Sequence, residues 1–175
     1  MKLNYNKEVI LDILNKKPEL GKTAIMKMIF ILQNVFGMKL GYSFDIYTYG
    51  PYAAEVSEEL ESLIHSDLID AEAYEYNNSW GYKLEISDKG KSSKGSLSPD
   101  DEKKISDVLL HFGSKTAKEL ELDSTIIYTR NRYIRNKWGD IKDEIISEVH
   151  EIKPHFSIEK IGEEYDKLKN NGMLI

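Results

Sequence analysis

Residues 22–52, KTAIMKMIFILQNVFGMKLGYSFDIYTYGPY, constrain the fold more than any other stretch of the chain. The first part predicts a helix from Lys22 to Phe36, stopped at Gly37. Ile25, Met26, Met28, Ile29, Phe30, Ile31, Leu32, Val35 and Phe36 cover much more than one stripe of that helix. A helix apolar on most sides is a buried one, so this segment is expected to be the central core helix. Lys22, Lys27, Gln33 and Asn34 are left to supply a narrow wet face. Residues 42–49, YSFDIYTY, then alternate in the manner of a strand, with Phe44, Ile46 and Thr48 set against Asp45, Tyr47 and Tyr49. Gly50-Pro51 is expected to turn the chain into the next helix, because proline fixes φ and is tolerated in a first helical turn.

The rest arranges itself around this axis. Residues 7–15 place Val9, Ile10, Ile13 and Leu14 at helical spacing, with Asn6 as the expected N-cap. A third helix over 52–65 carries Val56, Leu60, Leu63 and Ile64 on one face and Glu55, Glu58, Glu59 and Glu61 on the other. Residues 69–76 and 80–86 flank Asn77-Asn78-Ser79 and read as a hairpin, with Trp80, Tyr82, Leu84 and Ile86 sharing a face. Three helices followed by a two-stranded ribbon is the order of a winged helix-turn-helix. The Ser-, Gly- and Lys-rich run 87–98 reads as a linker. Beyond it, helices are expected at 99–112, 115–129, 140–152 and 157–171, the last pair resembling a second helix-turn-helix-like unit without a wing. The expected fold is therefore mainly α with a small antiparallel β hairpin (α+β). It comprises a winged-helix domain at 1–90, a linker at 91–98 and a helical C-terminal domain at 99–175.

Composition narrows the function classes. The 175 residues are 41% hydrophobic and 31% charged, as in ordinary globular proteins. No run approaches the ~18 apolar residues of a membrane span, and charges interrupt the N-terminus, unlike a signal peptide. With no cysteine, disulfides and thiolate metal sites are excluded, and a cytoplasmic location is the expectation. The four histidines are scattered; His150 and His155 straddle Pro154 and lack the spacing of a helical metal pair. No phosphate-binding glycine loop, nucleophile elbow or calcium loop is found. The chain is expected to be no enzyme and to take neither cofactor nor metal.

The net charge of −6 opposes non-specific nucleic-acid binding by the surface as a whole. Its distribution is uneven, however. The chain's three arginines, Arg130, Arg132 and Arg135, fall within six residues, beside Lys137, Tyr133 and Trp138. This basic segment is the candidate nucleic-acid contact, together with Lys22 and Lys27; the alternative is that it pairs with acidic helices. The third helix, where a recognition helix would sit, is too acidic to enter a phosphate-lined groove. It forms the second candidate surface, for a protein partner or a second copy of the chain: Glu55, Glu58 and Glu59, with Tyr47, Tyr49 and Tyr52 of the TYGPY turn. Those tyrosines are either an exposed stacking platform or packing residues with bonded hydroxyls.

The run KTAIMKMIFILQ, followed by FGMKLGYSFDIYTYGPYAAEVSEEL and by Leu68-Ile69, resembles the YwgA-like family of uncharacterised prokaryotic proteins. LDSTIIYTRNR, IKPHFSIEKI and the final GMLI extend the resemblance over most of the chain. A Lys-apolar helix followed by Tyr-Gly-Pro is also distantly similar to the Panacea/SocA-like antitoxin domain. The first resemblance implies a winged-helix-like fold and a transcription-related role without catalytic residues. The second implies neutralisation of a toxin through protein contacts.

Overall fold

The computed structural model describes residues 3–95 and 97–175. These residues are mainly α-helical, with two small antiparallel ribbons. In order they form α1 (Tyr5–Lys16), α2 (Lys22–Asn34), β1 (Asp45–Tyr47), β2 (Gly50–Tyr52), α3 (Ala54–His65), β3 (Ile69–Tyr76), β4 (Ser79–Ile86) and α4 (Asp88–Ser93). There follow α5 (Pro99–Phe112), α6 (Ala117–Arg135), α7 (Lys142–Ile152) and α8 (Ile158–Asn170).

Helix α2 is the core helix its composition predicts. It packs against α1, α3, α5, α6, β2 and β4. Ile25, Met28, Ile29, Ile31 and Leu32 are fully buried, each stabilising the fold by roughly 1.5–3 kcal/mol. Apolar side chains from both sides of residue 90 meet in one continuous cluster, from Val9 and Ile10 through to Leu168 and Met173. The predicted wet face of α2 needs one correction. Lys27 is only 2% exposed, because the β1–β2 ribbon lies over it and supplies the Pro51 carbonyl as its acceptor at 2.7 Å.

The caps refine several expectations. Asn4, not Asn6, caps α1, accepting from Lys7 N at 2.8 Å, while Asn6 donates to Leu40 O. Ser98 caps α5 with Pro99 at its first position, and Ser157 caps α8, as expected. Thr116 and Glu119 form a capping box on α6. That helix runs on to Arg135 and so takes up the basic segment as its last turn.

Around residue 50 the expected turn moves by two residues. Thr48-Tyr49 make the turn, and Gly50-Pro51 form part of the returning strand, paired with Tyr47 and Ile46. The β3–β4 ribbon turns at Asn77-Asn78, both at positive φ (49° and 59°), the conformation of a type I′ hairpin. Leu20, between α1 and α2, bridges Leu84 of β4 and adds a third short edge to the ribbon. Trp80, Tyr82, Leu84 and Ile86 do share a face, but only Leu84 and Ile86 reach the core; the ribbon projects past it and leaves Trp80 73% exposed.

The run read as a linker is largely structured. Ser87 caps α4 by accepting from Gly90 N at 2.9 Å. Gly90 packs so closely that a Cβ there would lie 2.2 Å from Leu68 O. Lys94 then reaches the fully buried Asp12 of α1 at 2.8 Å, opposite Lys16 on the same carboxylate. Serine and glycine here serve a cap and a close approach, which composition alone does not separate from flexibility. Among the described residues, no helix is long and apolar enough to cross a membrane.

Candidate functional site

The short β1–β2 ribbon is fixed from three sides. Lys27 on α2 holds the Pro51 carbonyl from below. Lys153, at the end of α7, donates to the Tyr47 carbonyl at 3.0 Å and to that of Thr48, and lies 3.0 Å from Glu121 Oε1. Gly50 brings the ribbon against α6: with φ at 98°, a Cβ there would stand 3.3 Å from Ser124 Oγ and from Thr125 Oγ1. A side chain at this position would meet both strain and contact. Burial pushes the Lys27 ammonium down to about 8, with Lys153 adding to the depression and Glu121 opposing it.

With its backbone held, the ribbon presents its side chains outward. Tyr47 and Tyr49 are 59% and 64% exposed, and the rings of Tyr47 and Tyr52 meet edge-on at 5.2 Å. Tyr47, Tyr49 and Tyr52 line a cavity of about 270 Å³ whose apolar floor includes Met26 and Leu60. Lys22 and Lys27 also line it, so five of the residues singled out from the sequence converge on one place. They were expected to serve two different surfaces.

The cavity opens onto α3 through Tyr52 and Ser57, and a shallow shelf continues along Glu58, Glu61 and His65. Glu55 and Glu58 are exposed, and among the described residues neither has an ion-pair partner. Glu61 pairs with Lys22 at 2.5 Å, which holds its carboxyl below the usual range. Glu59 faces the other way and accepts the hydroxyl of Tyr42, whose pKa is driven upward by burial and then by that bond. Lys22 also sits 4.6 Å above the Tyr82 ring, which joins the cavity to the projecting ribbon.

The basic segment is divided. Arg130, 8% exposed, forms a bidentate pair with Asp140 and donates to the Ile175 carbonyl. The bond from Arg130 keeps the Asp140 carboxyl below its ordinary value. Arg132 pairs with Glu148 of α7. Among the described residues, Arg135 and Lys137 have no ion-pair partner and stand at the surface, with the half-exposed Trp138 beside them. The expected four-residue contact is thus reduced to two, because α7 and the C-terminal tail take the other pair. Their partners lie in the same half of the chain rather than on the acidic third helix.

Lys153 and Glu121, which set the ribbon in place, were missed. A single lysine between Ile152 and Pro154 was the only mark in the sequence, and nothing local ties it to residue 47. Among the described residues no cluster of His, Cys, Asp or Glu suits a metal ion. No protein-family model and no curated protein matches the chain.

Proposed function

We propose that the chain is a non-enzymatic protein-interaction module built on a winged-helix arrangement, with an antitoxin-like or adaptor-like role. The succession α1, the Leu20 edge, α2, α3 and the β3–β4 ribbon supports the arrangement. The observation that carries the function is the exposed surface itself: free tyrosines and unpaired glutamates lie side by side on an immobilised ledge. Rigid aromatic side chains bury large area at low entropic cost, and acidic neighbours steer a basic protein surface. The projecting ribbon extends the ledge with Trp80 and Tyr82, and adds Asp70, Glu72, Glu75 and Glu85 against Lys83 alone.

The test is a photo-crosslinking residue placed at Tyr49 in the producing cell, with Glu163 on α8 as the control position. A discrete protein adduct from position 49, identified by mass spectrometry and absent from position 163, is the expected result. No adduct in either place would overturn the reading.

Nucleic-acid binding is the second reading, favoured by the exposed Arg135, Lys137 and Trp138 at the end of α6. Fluorescence anisotropy with random duplex DNA at low salt distinguishes the two. Binding that disappears when Arg135 and Lys137 are both replaced by Ala supports this reading, and binding unchanged by that pair sinks it.

A further inference from the structure

We propose that the groove formed by the Tyr47–Tyr52 cavity and the α3 shelf takes a short extended segment of a partner, anchored by one large apolar side chain and followed by lysine or arginine. This inference rests on the interaction reading above and specifies its ligand. Size decides the first element. About 270 Å³ lies below the ~300–1,000 Å³ of small-molecule and cofactor sites but accommodates a single leucine, phenylalanine or tryptophan side chain. Met26, Leu60 and the three tyrosine rings give that side chain an apolar seat. The lysines at its edge do not turn it into an anion site. Lys22 is neutralised by Glu61, and Lys27 is spent on the Pro51 carbonyl.

Charge decides the second element. Glu58, Glu61 and His65 follow at helical spacing on the face of α3 that leads away from the cavity. Seven residues of helix span roughly 10 Å, which an extended peptide covers in about three residues. With Glu61 already paired, the carboxylates beside the cavity mouth that form no ion pair among the described residues are Glu58 and the nearby Glu55, while Lys7 and Lys89 reach only the far end of the shelf, at Ser62 Oγ and the Ser66 carbonyl. A cation one to four positions after the anchor therefore meets them without displacing an existing ion pair. An acidic segment would place like charges together.

A phage-displayed library of random dodecapeptides, selected on the immobilised full chain, is the probe. Enriched peptides are expected to carry Leu, Phe or Trp followed within four positions by Lys or Arg. The best of them, fluorescein-labelled, is expected to lose at least tenfold in affinity on Ser57→Trp, which fills the cavity mouth, and on Glu58→Lys. It should change less than twofold on Glu163→Lys, the same charge change on α8. Because Glu58 is exposed, its variant keeps the test valid even where Ser57→Trp fails to fold. No enrichment, enrichment of acidic peptides, or binding indifferent to Glu58→Lys would overturn the proposal. If the position-49 crosslink persists in Glu58→Lys while the peptides fail, the groove reading falls and the interaction reading stands.

Discussion

Lys27→Met keeps the apolar stem of the buried lysine and removes its ammonium. The folded environment lowers that group from 10.5 to about 8, chiefly by desolvation. At 1.36 kcal/mol per pH unit, the charged form costs the fold on the order of 3 kcal/mol. Below pH 8 both folded and unfolded chains hold the proton, and the cost is present in full. Between pH 8 and 10.5 only the unfolded chain retains it, so the natural protein gains stability as pH rises through this window. By pH 10 the gain amounts to about 2.5 kcal/mol. The methionine variant has no such pH dependence at this position. It does leave the Pro51 carbonyl without its donor, a loss of about 1–3 kcal/mol at any pH. At pH 7 the two effects oppose each other, and the variant is expected to be as stable as the natural chain or more so by up to about 2 kcal/mol. At pH 10 it is expected to be the less stable of the two. Urea unfolding followed by far-UV circular dichroism at pH 7, 8, 9 and 10, at one ionic strength, measures the difference directly. Two stability curves that stay parallel within about 0.5 kcal/mol over that range would refute the assignment of Lys27 as a buried cation.

Three further changes probe the fold around the site. Arg130→Met removes the bidentate partner of Asp140, which is exposed and keeps the Tyr165 hydroxyl, and is expected to cost about 1.5–3 kcal/mol by urea unfolding, whereas Arg135→Ala should stay within about 0.5 kcal/mol. The same Arg130 variant should flatten the acid limb, because a depressed Asp140 adds stability that is lost as pH falls below its ordinary 3.8. Gly90→Ala puts a Cβ 2.2 Å from Leu68 O and should cost about 1–3 kcal/mol, with hydrogen exchange accelerating in α4 and at Leu68. Thr116→Ala removes half of the α6 capping box, a loss of about 1 kcal/mol that Thr116→Ser should largely restore.

What was legible in the sequence followed from periodicity and caps. The all-round apolar pattern of 25–36 located the core helix, the Asn77-Asn78 pair located the hairpin, and Ser98-Pro99 and Ser157 located two helix starts. Each is a local signal whose physics is complete within a few residues. The errors share the opposite property. Lys27 reads as a surface residue until the carbonyl of residue 51 folds over it. The run 87–95 reads as flexible until Leu68 is brought against Gly90 and Asp12 against Lys94. Arg130 reads as a free cation until Asp140 and the chain end close on it. In every case a long-range partner reversed the meaning of a residue whose type was known. The cavity was half legible: its tyrosines and lysines were named, but only packing showed that they face one another.

This distribution of charge bears on the kind of partner the ledge suits. Five cations near or under the functional half, Lys16, Lys22, Lys27, Lys94 and Lys153, are committed to Asp12, Glu61, Glu121 or backbone carbonyls. The carboxylates of Glu55 and Glu58 carry no such commitment among the described residues. Lys7 and Lys89 donate to Ser62 Oγ and the Ser66 carbonyl at the C-terminal end of α3, so the uncompensated negative charge is concentrated at its start, at Glu55 and Glu58. The backbone of β1–β2 is held by the same buried lysines, so the aromatic ledge needs little further ordering before contact. Preorganisation of this kind lowers the entropic cost of association, and exposed unpaired acids speed encounter with a basic surface. Both effects favour a basic protein segment over a phosphate backbone at this face, and the first is lost if the ribbon is released from Lys27 and Lys153, whereas the second, carried by Glu55 and Glu58 of α3, remains.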